Sequence, residues 1–169
     1  LSSIRKDELV VKLLLSCDQI SSDIPIPHLL KEAASLHADR TSRNLWRQGM
    51  SPTKLYDSRL RDMSNRSRLA EIRVSLTRQQ AVLEASLSAV KKHVLARYGD
   101  EIKSVGSTAE MRKALLDKTL SRGIDLIARI TAATEELDQY IKDIESSAFG
   151  FRDAIDLVKL MTERQSQIV

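Results

Sequence analysis

The sequence predicts an all-α protein in which a long antiparallel helical hairpin, coiled-coil-like in its pattern, follows two N-terminal helices. Only five glycines and three prolines occur in 169 residues, so long uninterrupted helices are possible. Charged residues make up 30% of the chain and apolar residues 42%, a balance that suits a folded core rather than disorder. Because aromatic residues contribute just 4%, narrow aliphatic seams must supply the packing.

The first N-terminal helix is expected at the start of the chain. Ser2 and Ser3 can cap it, and apolar residues behind them extend it to about Ile20. The segment 21–27 contains two prolines, each of which disfavours a helical conformation in the residue before it. We therefore predict a short linker at 21–27.

The second N-terminal helix is predicted from Pro27 to Trp46, with Gly49 suited to its C-terminal end. This places a helical segment at 1–49 and a hairpin domain at 50–169.

The first arm of the hairpin is predicted from a clear start signal. Ser51 is a suitable cap, Pro52 fits the first helical position, and neither glycine nor proline follows until Gly99. Apolar residues recur at steps of three, four and seven, which is typical of a buried seam. These residues are Leu69, Ile72, Leu76, Leu83, Leu87, Val90 and Val94.

The beginning of this arm is out of phase with its seam. Tyr56, Leu60 and Met63 project to nearly the opposite side of an ideal helix. Two interpretations stay open: the helix bends or breaks near 64–67, or it is continuous and its first turns contact a different neighbour.

The second arm follows a polar connection that ends at Gly106. Residues 107–110 fit a capping box, and residues 107–148 are similar in length to 67–98, so the two arms should pack antiparallel. Mostly apolar seam positions then alternate at steps of three and four over several turns. They are Ile124, Ile127, Ile130, Thr134, Leu137, Ile141, Ile144, Ala148, Phe151, Ile155 and Val158.

Such a sustained seam also favours self-association, since a two-helix hairpin leaves one flank of each helix uncovered. We expect a homo-oligomer. The alternative is a monomeric bundle that the two N-terminal helices complete. The residues predicted to form the oligomer contact are Ile127, Ile130, Leu137, Ile141, Ile144, Phe151 and Ile155.

Positive charge is concentrated in the middle of the chain. The net charge is +4, but residues 38–78 alone hold ten basic and four acidic residues. Nine of the ten are arginine, whose planar guanidinium group suits phosphate. They are Arg40, Arg43, Arg47, Arg59, Arg61, Arg66, Arg68, Arg73 and Arg78, together with Lys54.

Part of this charge is regularly spaced. Arg59, Arg66 and Arg73 recur every seventh residue, about 10 Å apart along a helix. Arg40, Arg43 and Arg47 share a helix face, and two aromatic residues, Trp46 and Tyr56, lie in the same region. These features predict single-stranded nucleic-acid binding. The alternative is a solvated helix face with salt bridges to acidic residues on a neighbouring helix.

Signatures of catalysis are lacking in the sequence. The three histidines, His28, His37 and His93, form no metal-ligand spacing with cysteine, and no Gly-rich phosphate loop or nucleophile elbow occurs. The lone Cys17 cannot form an internal disulfide. We therefore expect a soluble protein that is not an enzyme and uses no cofactor.

Several short segments are similar to one protein family. They are Asp23-Ile24, Lys31-Glu32-Ala33-Ala34, Val90-Lys91-Lys92, Tyr98-Gly99 and the stretch from Phe149 to Ile155. With these segments the chain resembles the UvsY-type recombination mediators of phages, small helical proteins that load a recombinase onto single-stranded DNA. The Arg-rich segment 44–68 has no counterpart in the family pattern.

The resemblance implies a single-stranded DNA-binding accessory protein that acts as an oligomer and assists a recombinase, in the host cytoplasm if the source is a phage. It also implies DNA contacts by Lys91 and Lys92, where they match the family. A helical scaffold subunit of a larger, nucleic-acid-containing assembly is the alternative.

Overall fold

The computed structural model describes residues 2–42 and 52–166, and within these ranges every regular element is helical. The all-α prediction is therefore confirmed for the described chain. The helices are α1 (Ser2–Arg5), α2 (Glu8–Asp23), α3 (Ile26–Ser42), α4 (Pro52–Val105), α5 (Ala109–Thr119) and α6 (Ser121–Ser166).

The helices group into two compact units. Unit 1 consists of Leu1–Ile26 and Ser75–Thr134, and unit 2 of Pro27–Val74 and Glu135–Val169. Each unit thus combines a piece of the predicted N-terminal segment with pieces of both hairpin arms. The units divide the chain differently from the sequence-based boundary between 1–49 and 50–169, because α4 and α6 each contribute to both.

Antiparallel pairing of α4 with the C-terminal arm is present in each unit. In unit 2, Arg66 binds Glu145, and Arg73, seven residues later, binds Asp138, seven residues earlier. In unit 1, Leu87 lies beside Gly123 of α6, whereas Lys91, further along α4, binds Asp117 of α5. Residue numbers therefore rise along α4 while those of its partners fall, and this antiparallel order confirms the predicted hairpin.

Helix α4 is continuous through residues 64–67, so the predicted bend or break there is wrong. The different neighbour expected for Tyr56, Leu60 and Met63 is not seen either, because these three side chains are exposed. The helix also extends beyond the predicted end at Gly99, to Val105. A kink lies at Tyr98, whose φ of −118° and ψ of 17° are not helical.

The out-of-phase start of α4 is explained by polar residues that face the interior. Ser58 and Asp62 are buried, and Asn65 donates hydrogen bonds to the Leu36 carbonyl (3.1 Å) and to Asp39 Oδ2 (3.2 Å) on α3. These residues lie on the same face of α4 as the buried Leu69. The apolar Tyr56, Leu60 and Met63 consequently point outward and are exposed.

The interior follows the predicted seam of α4 closely and that of α6 only in part. Leu87 is half-buried, and the other six seam residues of α4 are buried, with aliphatic residues of α6 buried opposite them in each unit. Among the described side chains of α6, the buried aliphatic ones are Leu126, Ile130, Ala133, Leu137 and Ile144. Of the positions predicted for this seam, Ile124, Ile127, Thr134 and Ile141 are only half-buried.

The N-terminal region differs from the single helix predicted there. Helix α1 ends at Arg5. Asp7 then caps α2 by accepting a hydrogen bond from the Leu9 amide at 3.0 Å. Helix α2 then runs to Asp23, which leaves only Ile24 and Pro25 between it and α3. The linker predicted at 21–27 is therefore wrong in its bounds. Pro27 does not end the helix because a proline in the first turn of a helix removes no intrahelical hydrogen bond.

The start of the C-terminal arm also differs in detail. Thr108, rather than Ser107, caps α5, and its hydroxyl accepts the Met111 amide at 3.2 Å. The capping box predicted at 107–110 is therefore wrong, because the cap lies one residue later and Glu110 is the second helical residue rather than the third. Leu120 then separates α5 from α6, so the long last helix is preceded by a short one.

Gly106, between α4 and α5, is buried in a place that excludes a larger residue. A Cβ atom there would lie 2.8 Å from Arg112 Cγ and 3.3 Å from the Ile102 carbonyl oxygen. The close approach of α5 to the end of α4 therefore requires glycine at this position.

A buried carboxylate joins the start of α2 to the end of α4 within unit 1. Asp7 Oδ2 accepts hydrogen bonds from His93 Nε2 (3.1 Å), Arg97 (3.3 Å) and the Tyr98 hydroxyl (3.0 Å). The bond from His93 is the main cause that lowers the pKa of Asp7 from 3.8 to about 2, with the bonds from Leu9 and Tyr98 adding to it and burial opposing it. The carboxylate therefore stabilises unit 1 in its charged form.

We expect the stability contributed by Asp7 to be lost in acid. Because its pKa is lowered on folding, the contribution is complete above about pH 4 and disappears as the pH falls toward 2. The variant Asp7→Asn keeps a capping oxygen but does not titrate. Its melting temperature, followed by circular dichroism, should lie below that of the wild type at pH 5 and converge with it near pH 2. A constant difference across this range would show that the charge of Asp7 is not involved.

Candidate nucleic-acid interface

The structure describes only some of the basic and aromatic residues that were predicted to bind nucleic acid. Arg43, Trp46 and Arg47 lie outside the described residues, and Arg40 lies on α3 with its side chain outside the described part. The geometry of the interface therefore depends on α4, and we call Arg59, Arg66 and Arg73 the arginine stripe.

Two members of the arginine stripe form ion pairs with α6. Arg66 Nε donates to Glu145 Oε1 at 2.8 Å, and an Arg73 terminal nitrogen donates to Asp138 Oδ2 at 3.2 Å. Arg73 Nε also contacts the other oxygen of Asp138. These pairs are the salt bridges to a neighbouring helix that the sequence left open as an alternative.

The ion pairs remain accessible to solvent. The side chains of Arg66 and Glu145 are each 48% exposed, and those of Arg73 and Asp138 are exposed to a similar extent. Pairs with this exposure contribute only about 0–1 kcal/mol each, so a phosphate can replace the carboxylate at small cost. The stripe is thus compatible with both a structural and a binding role.

The remaining stripe residue has an aromatic neighbour. Arg59 is half-buried on α4, one turn beyond Tyr56, whose side chain is 61% exposed. Residues three apart lie on the same side of a helix. A guanidinium group and an accessible ring therefore share one surface at the start of α4.

Arg68 takes part in a second set of contacts in unit 2. It binds Glu32 of α3 at 2.7 Å and Glu71 of α4 at 3.2 Å. The bond from Arg68 lowers the pKa of Glu32, so this carboxylate is held in its charged form. Nearby, His37 stacks on Tyr140 with ring centroids 4.5 Å apart and binds Asp143. These contacts join α3 to α4 and to α6, and we interpret them as structural.

The excess charge of the middle segment is largely offset within unit 2. The stretch Pro27–Val74 contains ten basic and five acidic residues, whereas Glu135–Val169 contains four basic and eight acidic residues. Unit 2 therefore has a net charge near +1. The local positive potential of α4 depends on which acids of α6 lie beside each arginine.

Lys91 and Lys92, implicated by the family resemblance, lie on α4 in unit 1. Lys92 is exposed, and Lys91 binds Asp117 of α5 at 2.9 Å. Lys91 also lines a groove to which Arg112 and Lys113 contribute. Sequence reasoning missed these two residues, because only the folding of α5 against α4 brings them near Lys91.

Some of the residues predicted to form the oligomer contact are buried by packing within a single chain. Ile130, Leu137 and Ile144 are buried in one copy, while Ile127, Ile141 and Ile155 are half-buried and the side chain of Phe151 lies outside the described part. Self-association through α6 remains a prediction. The half-buried residues are the ones that a second copy could contact without opening the bundle.

No family model matches the chain, and no curated protein or solved structure is significantly similar to it. Among the described residues, three or more potential metal ligands nowhere come together. Over the same residues, no helix has the length and apolar character needed to cross a membrane.

Proposed function

We propose that this protein is a single-stranded nucleic-acid-binding accessory protein of the recombination-mediator kind, without enzymatic activity of its own. The observation that carries the proposal is the half-exposed arginine stripe beside the accessible ring of Tyr56. The role in recombinase loading, and the action as an oligomer, rest on the resemblance to the UvsY-type family.

The chemistry of the stripe suits a flexible polyanion. Arginine can bind a phosphate through two parallel hydrogen bonds, and a spacing of about 10 Å places successive guanidinium groups along an extended backbone. Exposed Tyr56 can stack on an unpaired base, an interaction that double-stranded DNA does not offer. Such binding requires no residues that recognise a base sequence.

The carboxylates that pair with the stripe provide the test. In the double variant Asp138→Asn, Glu145→Gln, both arginines lose their competing acid but keep their own charge. We expect the affinity for a single-stranded oligonucleotide to rise roughly three- to tenfold, in line with two exposed ion pairs of up to about 1 kcal/mol each. Fluorescence anisotropy at fixed salt measures it.

A matched control separates this local effect from a general change in charge. Glu135→Gln with Asp153→Asn removes two negative charges from exposed positions of α6 that form no pair with the arginine stripe. This control should raise affinity less than the first variant. Equal effects would mean that the stripe is not the binding surface.

A scaffold subunit is the second candidate, and the salt bridges themselves favour it. If Arg66 and Arg73 serve only to hold α6 against α4, the variant Asp138→Asn, Glu145→Gln will lower the melting temperature and leave nucleic-acid binding unchanged. The same samples therefore distinguish the two functions.

A further inference from the structure

We propose that a groove between α4 and α5 in unit 1 binds an acidic amphipathic peptide segment of a partner protein. The groove has a volume of about 510 Å³, within the range of about 300–1,000 Å³ that is typical of ligand pockets. We call it the α4–α5 groove. Its lining residues are Lys91, Leu95, Ala109, Arg112, Lys113, Leu116 and Asp117.

The apolar part of the groove is aliphatic. Leu116 is buried beneath it, Ala109 contributes a methyl group, and Leu95 is 48% exposed although it is a large apolar residue. Covering an exposed leucine next to a concave apolar surface with another apolar side chain is favourable, because it removes apolar area from water. The groove therefore favours a ligand that has aliphatic side chains.

The charged part of the groove is basic. Lys91, Arg112 and Lys113 contribute three positive charges to the lining, and its acidic residue, Asp117, is bound to Lys91 at 2.9 Å. Arg112 is oriented by a hydrogen bond from its Nε to the Thr108 carbonyl at 3.2 Å. A net positive charge beside an aliphatic surface is complementary to apolar side chains flanked by carboxylates.

A peptide fits this chemistry better than a nucleic acid does. The lining contains no aromatic ring, so bases have nothing on which to stack, and stacking is a main source of affinity for single strands. The peptide site also differs from the arginine stripe of unit 2. The inference therefore goes beyond the proposed function and does not depend on it.

The test uses the full chain and a fluorescein-labelled helical peptide with leucines at steps of three and four, flanked by glutamates. Two companions are a peptide with serine in place of leucine and a single-stranded oligonucleotide. We expect the leucine peptide to bind and the serine peptide to bind at least tenfold more weakly. Leu95→Ser and Lys113→Glu should each weaken binding of the leucine peptide about tenfold, because the first removes apolar area from the groove and the second places a negative charge against the peptide's glutamates.

Lys118→Glu is the matched control, because it makes the same charge change at an exposed position of α5 outside the groove lining. It should leave peptide affinity nearly unchanged. Since Leu95, Lys113 and Lys118 are all exposed, circular dichroism should show the same helical content in every variant.

Three results would overturn the proposal. Absence of peptide binding by the folded wild-type chain is one. The second is equal binding of the leucine and serine peptides, which would indicate attraction by charge alone. The third is a loss of oligonucleotide affinity in Lys113→Glu with no change for the peptide, which would assign the groove to nucleic acid.

Discussion

Replacing Arg59, Arg66 and Arg73 together by alanine is expected to lower the affinity for single-stranded DNA by about 100-fold at 0.1 M salt. Each phosphate contact on a single strand changes the logarithm of the affinity by about 0.7 per tenfold change in salt. Three lost contacts therefore remove about two logarithmic units at 0.1 M salt and reduce the salt slope by about two. Anisotropy titrations at several salt concentrations measure both quantities.

The alanine variant also removes two ion pairs to α6, so a loss of affinity could arise from a change in the fold. A second variant separates this effect from the loss of phosphate contacts. The variant Asp138→Asn, Glu145→Gln breaks the same ion pairs but leaves the arginines in place. Opposite changes in affinity for the two variants would assign phosphate binding to the arginines. If both variants weaken binding equally, the ion pairs act through the fold, and the arginine stripe is not the contact surface.

The role of Tyr56 can be separated from that of charge in the same assay. Stacking on a base depends on the ring and changes little with salt, whereas phosphate contacts determine the salt slope. Loss of the arginines should therefore leave a weaker binding mode with a shallower salt dependence.

Much of the fold could be predicted from the sequence because its main signal is local. The seam from Leu69 to Val94 is set by the helical repeat, and these positions are buried as expected, apart from the half-buried Leu87. The break at Asp7 was missed, since its stabilising contacts come from His93 and Tyr98, more than eighty residues away. A capping residue inside an otherwise helical pattern does not by itself predict contacts with residues so far away in the sequence.

The phase change in α4 shows a different limit. Tyr56 and Leu60 predicted a separate apolar face, but the structure buries Ser58 and Asp62 instead. On this face Leu55 is buried as well. Hydrophobic periodicity identifies a buried face by its apolar residues and misses polar positions on it, which hydrogen bonds can stabilise. Asn65, with its bonds to α3, is an example.

The candidate interface was predictable only in part, for an electrostatic reason. Counting charges along the chain identified the excess at 38–78, yet the potential at a surface depends on residues that are close in space. Glu145 and Asp138 lie more than sixty residues from the arginines that they bind. For the same reason the sequence did not predict that Arg112 and Lys113 lie near Lys91, since their proximity depends on how α5 packs.

Leu137→Asp should unfold unit 2. Leu137 is completely buried in α6, and an unpaired carboxylate at such a position costs several kcal/mol. Since small domains are stable by only about 5–15 kcal/mol, we expect a large loss of helical signal and rapid proteolysis of the affected helices. Circular dichroism and limited proteolysis measure these effects. A variant with wild-type stability would show that the described packing of unit 2 is incorrect.

Ile141→Asp distinguishes bundle packing from self-association on the same helix. Ile141 is only half-buried, so a carboxylate there can remain solvated, and the loss of stability should be much smaller than for Leu137→Asp. If α6 also contacts a second copy, this exposed part of the seam becomes buried in the oligomer, and the charge must then be desolvated. The variant should therefore keep its helical signal while its mass, measured by light scattering, falls to that of one chain. A wild-type chain that is already monomeric, or a folded variant with the oligomeric mass of the wild type, would exclude Ile141 from an assembly surface.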